Sequence, residues 1–201
     1  MHPSAIHRWE DRGSLRAFAE EIGFGTLFAA TPDGPRVAHV PFVFLDENRV
    51  GFHLARGNGL TKHLDGAEAV FVVNGPDAYI SPDWYDLDQN QVPTWNYLAL
   101  ELQGPMRKLD NDGLISQVEA VTAHQEQRLA PKPAWTRDKM DDSVFSKMLG
   151  AIVGFEMNIT AWRGTSKLGQ NKPEAARQKV AEALDAVGQK AMGHLMRNLP
   201  Q

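Results

Sequence analysis

The sequence predicts an antiparallel β-barrel with peripheral helices, mainly β in class, and three observations predict it. Most candidate strands alternate apolar and polar residues with a period of two. They are joined mainly by short turns rich in Gly, Pro and Asp, and they precede the long helical segments instead of alternating with them. A βαβ winding would need a crossover helix between successive strands. With 201 residues, no internal repeat and no low-complexity linker, the chain is expected to form a single domain over 1–201. A C-terminal helical segment from about residue 173 completes it.

SLRAFAEEIG places Leu15, Phe18 and Ile22 on one helical face and stops at Gly23. FGTLFAA reads as a strand, TPDGP as a turn, and PRVAHVPFVFL as a second strand with Ala38, Val40, Phe42 and Phe44 on its apolar face. Pro41 cannot donate to a ladder, so that strand is expected to be bulged or at an edge there. RVGFHLA is a third strand, and RGNGLTKHLDG a loop that opens a short helix. AEAVFVVN, a nearly unbroken apolar run, fits a strand buried on both faces. WNYLALELQG directs Leu98, Leu100 and Leu102 inward, DNDGLISQVEAVTAHQEQRL is helical, residues 130–140 are irregular and DDSVFSKMLG is a further helix. IVGFEMNITAWR alternates, with Val153, Phe155, Met157 and Ile159 inward and Glu156, Asn158 and Thr160 outward. The loop GTSKLGQNK then leads to a last helix from Pro173, with Val180, Leu184 and Val187 as its stripe and Gly188 as its end or break.

Composition narrows the chemistry. The absence of cysteine excludes disulfides, Cys-based zinc sites and thiol catalysis. No HExxH string occurs, and no metal site is expected. GFGTLF lacks the third glycine of a dinucleotide fingerprint and precedes a strand rather than following one. SKLGQ lacks the flanking glycines of a nucleophile elbow. No apolar run approaches the roughly 20 residues that span a bilayer, and the N-terminus has no apolar h-region, so a soluble, cytoplasmic protein is expected. Net charge is −4, and the basic residues near the C-terminus are diluted, which gives direct DNA binding little support.

Two stretches carry candidate chemistry. In FHLARGNGLTKHL, His53 ends a strand, Arg56 and Asn58 lie in a turn, and Lys62 is expected one turn into a helix. Gly57 and Gly59 let backbone amides approach an anion, and a guanidinium can grip phosphate oxygens in pairs. An ordinary turn with exposed charges is the alternative. The second stretch, NGPDAYISPDWYDLDQNQVPTWNY (74–97), holds all three tyrosines and two of the five tryptophans. Such a collection suits a packed subunit interface or the wall of a site for a planar ligand. His39 reads as a strand residue with a polar partner.

These pieces together resemble the PaiB-like family of FMN-binding negative transcriptional regulators. The matching strings are FGTL at 24–27, HVP at 39–41, HLARGN at 53–58, NGPDAYISPDWY at 74–85, VPTWNY at 92–97, IVGFE at 152–156 and KLGQNK at 167–172. The chain departs from the family's pattern at Gly59, where a Pro is expected, and at Gly169, where Ser is the more frequent residue. The resemblance implies a split antiparallel β-barrel of the FMN-binding, pyridoxamine-phosphate-oxidase-like type, with FMN as cofactor, lying across the interface of a homodimer. It implies cofactor contacts from Thr94, Trp95, Asn96 and Tyr97, and from Lys167, Gln170 and Asn171, beside the loop residues His53, Arg56, Asn58 and Lys62. Tyr79, Trp84 and Tyr85 are equally suited to packing an interface. For function it implies a regulatory protein that lowers expression of target genes. An FMN-dependent oxidoreductase acting on a small cytosolic molecule, and a flavin-binding module signalling through a protein partner, are the alternatives. No residue is singled out as catalytic, because a flavin brings the redox chemistry itself.

Overall fold

The computed structural model describes residues 3–87 and 90–200. In chain order its strands are β1 (Arg8–Trp9), β2 (Phe24–Thr31), β3 (Gly34–Phe44), β4 (Arg49–Ala55), β5 (Glu68–Ile80), β6 (Thr94–Lys108), β7 (Ile152–Asn158) and β8 (Ala161–Lys167). The helices are α1 (Arg12–Ile22), α2 (Asn111–Gln127), α3 (Asp142–Leu149), α4 (Glu174–Ala186) and α5 (Lys190–Arg197). The chain divides into two compact units: a larger one of residues 19–73 and 101–162, and a smaller one of 3–18, 74–100 and 163–200.

The larger unit is the barrel that the alternation predicts. Strands β5, β2, β3, β4, β7 and β6 follow one another, and β6 returns to β5, closing the ring. Closure removes free edges, which is how a small antiparallel sheet buries its ladder donors. Pro41 lies where β3 changes partner: residues 34–41 pair with β2, and 42–44 pair with β4. A residue without an N–H is tolerated at that handover because neither ladder needs its donor there. Inside the ring, Phe71 stacks on Phe52 at 5.4 Å and meets Phe42 edge-on at 5.1 Å. Leu27, Leu102 and Met157 are fully buried beside them in sequence positions of matching parity.

Glu156 lies on the outward face as expected, yet it is only 5% exposed. Its carboxylate accepts from Arg107 Nε at 2.9 Å and from Arg49 Nη1 at 3.1 Å. A buried carboxylate is tolerated when it is paired and hydrogen-bonded, and two guanidiniums supply both. Residues 56–66 do not form the expected short helix. They are successive turns: Asn58 Oδ1 accepts from Leu60 N, Thr61 N bonds Asn58 O, and His63 N bonds Leu60 O. Three glycines in eleven residues raise the entropic cost of a helix too short to propagate.

In the smaller unit the strand order is β1-β8-β6-β5. Here β5 continues through Gly75 and Pro76 to Ile80, so the aromatic stretch is less of a loop than its turn residues suggest. The expected strand IVGFEMNITAWR is two strands, and GTSK belongs to the second rather than to a loop. Gly164 faces Trp9 across β1 and β8, and a Cβ there would lie 2.4 Å from Trp9 O. Trp9 packs on Phe18 at 5.3 Å. Val180 and Leu184 of α4 are buried, whereas Val187, expected in their stripe, is 59% exposed because the helix has ended and Gly188 turns the chain at φ +84°.

Gly104 of β6 tests the closeness of the barrel wall. A Cβ at this position would lie 1.8 Å from Asn158 O, so the backbone itself must move. Gly104→Ala is expected to destabilise by about 1–3 kcal/mol or more and to lower Tm by several degrees in thermal unfolding. Gly57→Ala, where a Cβ meets nothing within 4 Å, is expected to leave Tm unchanged or slightly raised.

Candidate functional site

The loop after β4 lies in the larger unit. Arg56 grips the chain just beyond α3: its N donates to Ala151 O at 2.8 Å, its Nε to Gly150 O at 2.7 Å and its Nη2 to Ile152 O at 3.2 Å. Those bonds hold the guanidinium in one place and leave the Nη1 amino group for a ligand. Asn58 spends its carbonyl oxygen on Leu60 N, which turns its amide NH2 outward for use. Thr61 Oγ1 donates to Ala55 O at 3.1 Å, and Leu60 and Leu64 are buried beneath the turn. Lys62 is exposed and belongs to no ion pair among the described residues. Open space above Gly57 and Gly59 leaves the loop backbone approachable. This donor set suits a phosphate. The helix terminus expected to add partial charge is absent, which leaves Arg56, Asn58, Lys62 and the amides as the candidate donors.

His53, one strand-end earlier, takes a different course. Its Nδ1 lies 3.1 Å from Gln117 Oε1 on α2, and Gln117 is fully buried. The Gln117 amide nitrogen has no hydrogen-bond partner among the described residues. The pair joins strand to helix.

The smaller unit contains a cavity of about 270 Å³ lined by His7, Tyr85, Gln91, Thr94, Asn96, Lys167, Asn171 and Lys172, among others. Thr94 and Asn96 reach it from one face of β6, while Trp95 and Tyr97 alternate to the other face. Trp95 is 54% exposed there and meets the exposed Tyr79 edge-on at 6.2 Å. The four residues of the TWNY string therefore divide into two polar cavity groups and two aromatic surface groups. Lys167 Nζ donates to Thr94 Oγ1 at 2.6 Å. Lys172 Nζ donates to Gln91 Oε1 and stands 5.2 Å from the Tyr85 ring centroid. Asn96, 1% exposed, donates from Nδ2 to Met196 Sδ at 3.3 Å.

Gln170 shapes this cavity rather than lining it. Its Oε1 accepts from Leu168 N at 2.8 Å and meets His7 Nδ1 at 3.1 Å, while its Nε2 donates to Ser166 O at 2.5 Å. It staples the turn in which Gly169 adopts φ +75°. Sequence reasoning missed His7, which no spacing connects to residues 163 positions away. It also passed over Lys172, although that residue closes the KLGQNK string.

The cavity lining has two ammonium groups, an imidazole, amides, two hydroxyls and no carboxylate among the described residues. That chemistry fits a carbonyl-rich or anionic group such as the pyrimidine edge of a flavin. Its volume lies just under the range for a whole drug-sized ligand, which is room for part of one. No helix among the described residues is long and apolar enough to cross a membrane.

Comparisons with known proteins agree with this chemistry. Residues 1–161 match the family described as "Putative FMN-binding domain". Over 171 residues the chain is 31% identical to the protease synthase and sporulation protein PAI 2 of Bacillus subtilis, covering 83% of this chain and 81% of that one. An uncharacterized protein of Saccharomyces cerevisiae is 30% identical over 132 residues, covering 59% of this chain and 78% of its own. Among solved structures, the FAD and heme binding protein of Mycobacterium smegmatis superposes with TM-score 0.60 at 19% identity, covering 81% and 74% of the two chains. A conserved hypothetical protein of Mycobacterium tuberculosis superposes with TM-score 0.61 at 14% identity, covering 86% and 94%. At those identities the structures establish the fold, a split antiparallel barrel.

Burial pushes the Tyr85 phenol above its ordinary value of 10.0. Ionising it therefore costs the folded state: its contribution is intact below about pH 10 and is lost as pH rises through the folded value. Spectrophotometric titration should show one of the three tyrosines ionising last, and Tyr85→Phe should remove that component and flatten the alkaline fall in Tm.

Proposed function

Since the chain belongs to the PaiB-like family of FMN-binding split-barrel proteins, with a flavin as its cofactor, we propose that it is an FMN-binding regulatory protein that lowers expression of target genes without itself gripping DNA. The observation that carries the indirect mode is the use made of its cations. Of the four Lys and Arg residues on the two C-terminal helices, Lys179 pairs with Asp86, Arg197 pairs with Asp185 and Arg177 donates to Met196 O, which leaves Lys190 without an ion pair among the described residues. Arg49 and Arg107 are committed to Glu156. Phosphate-backbone binding needs several free cations on one face. The support for the gene-lowering role is membership of this family, together with the 31% identity to the Bacillus subtilis protein named for protease synthase and sporulation.

In this reading Arg56, Asn58 and Lys62 hold the phosphate of FMN. Taken by itself, the cavity of the smaller unit offers Lys167, Thr94, Asn96 and Asn171 to a carbonyl-bearing ring edge, with His7 and Gln170 fixing the turn that carries Lys167 and Asn171. A bound flavin would supply hydride and electron transfer; the protein's residues bind it, orient it and keep its polar edge satisfied. The exposed Tyr79–Trp95 pair is the proposed aromatic anchor of a homodimer, since exposed aromatics of this kind are typical interface residues.

Binding should separate the two donor sets. FMN is expected to bind roughly ten- to a hundredfold more tightly than riboflavin. Lys62→Met, which breaks no structural bond, should erase much of that difference, and Arg56→Ala should do so more fully. Lys167→Met should weaken both ligands alike. Unchanged FMN affinity in both loop variants, measured by flavin fluorescence quenching, would remove the loop from the site.

Light scattering of the FMN-loaded protein should give about twice 22.3 kDa. Electrophoretic shifts should show no tight binding to promoter fragments. A sequence-specific shift that weakens steeply with salt would establish direct repression instead. Rapid reduction of bound FMN by a nicotinamide, with turnover on an acceptor, would replace the regulatory reading with an oxidoreductase.

A further inference from the structure

One cavity of the larger unit belongs to neither donor set. It encloses about 820 Å³ between α2, the irregular segment that follows it and α3. That volume lies within the ordinary range for a small-molecule site. Its walls combine two aromatic rings with an excess of negative charge: Glu119, Asp138, Asp141 and Asp142 stand against a single cation, Arg137. Arg137 is itself neutralised, donating from Nη2 to Asp142 Oδ1 at 2.9 Å. Glu119, Asp138 and Asp141 belong to no ion pair among the described residues.

One of the two rings already holds a cation. The Arg137 guanidinium carbon lies 4.4 Å from the Phe145 ring centroid, so the wall already contains one cation seated on an aromatic face beside a carboxylate. Trp135 presents the second ring. It is held in place by its own backbone: Trp135 N donates at 2.8 Å to Glu126 Oε2, which also receives Lys132 Nζ. Lys139 Nζ donates to Ala134 O at 2.8 Å and secures the same segment. Thus the irregular segment is stapled rather than slack, and a ligand would not have to organise it. The Thr136 hydroxyl, and to a lesser degree the neighbouring Lys139, hold the Asp138 carboxyl below its usual range.

From this arrangement we propose that the cavity is a binding site for a small organic cation, an ammonium group carried on an apolar body. The ammonium meets the unpaired carboxylates and the body packs on Trp135 and the apolar flank of α2. The charge pattern excludes carboxylates and phosphates, so the site differs in ligand class from both flavin-directed donor sets, and the proposal does not rest on the flavin reading.

The test titrates the full chain, saturated with FMN, with three probes of one shape: 2-phenylethylammonium, 2-phenylethanol and 3-phenylpropionate. Calorimetry is expected to show saturable binding of the ammonium, weaker binding of the alcohol, and the carboxylate at least about tenfold weaker than the ammonium. Glu119→Gln combined with Asp141→Asn, both exposed and tolerant of substitution, should weaken the ammonium by about three- to tenfold and leave the alcohol unchanged. Trp135→Ala should weaken ammonium and alcohol together. Absence of saturable ammonium binding at millimolar concentration, equal binding of the carboxylate, or unchanged affinity in both variants overturns the proposal.

Discussion

The closed barrel depends on one buried carboxylate. Glu156 on β7 stands between Arg49 on β4 and Arg107 on β6, the two strands that β7 joins. Opposite it in the β4 ladder is Gly51, where a Cβ would come within 3.1 Å of Gln117 and Leu45. A larger residue there would compete for the space in which α2 packs on the barrel. Removing either arginine would leave a poorly solvated charge, whereas the intact set fixes the register of three strands at once. Because a one-residue slip would turn Phe155 and Met157 outward and bring Glu156 inward, the ionic and apolar patterns specify the same register.

That register decides where chemistry can be placed. β4 delivers His53 to Gln117 on α2 and then releases the chain into the glycine-rich turns of residues 56–66. Arg56 returns to the carbonyls of residues 150 and 152, on either side of the junction between α3 and β7. The same helix supplies Phe145 to the large cavity. Loop, helix and cavity wall therefore share a short run of backbone.

In the smaller unit the organising element is the turn after β8. Gly169 supplies the left-handed backbone, Gln170 ties its two ends, and His7 braces Gln170 from the start of the chain. Lys167 and Asn171, on either side, are aimed into one cavity as a consequence. The C-terminal helices close that environment through Met196, which receives Asn96 from β6 and whose carbonyl receives Arg177 from α4.

Much of this was legible in the sequence because it depends on local period and local strings. The alternation of Ala38, Val40, Phe42 and Phe44, the helical run of α2, and the family strings HLARGN, VPTWNY and KLGQNK determined the barrel class, the flavin and most of the candidate residues. Tertiary structure decided what local period cannot. Glu156 sits at a position that reads as exposed, and only two arginines distant in sequence make its burial affordable. Lys62 reads as helical, yet glycine entropy and short-range turn bonds keep its segment irregular. TWNY reads as one cluster, but the pleat of β6 sends its aromatic and polar members to opposite faces. His7 has no signal at all, because its meaning arises only when a chain segment 163 residues away from Gln170 folds back beside it. Pairing across such distances is a property of the closed structure, and no window along the chain contains it.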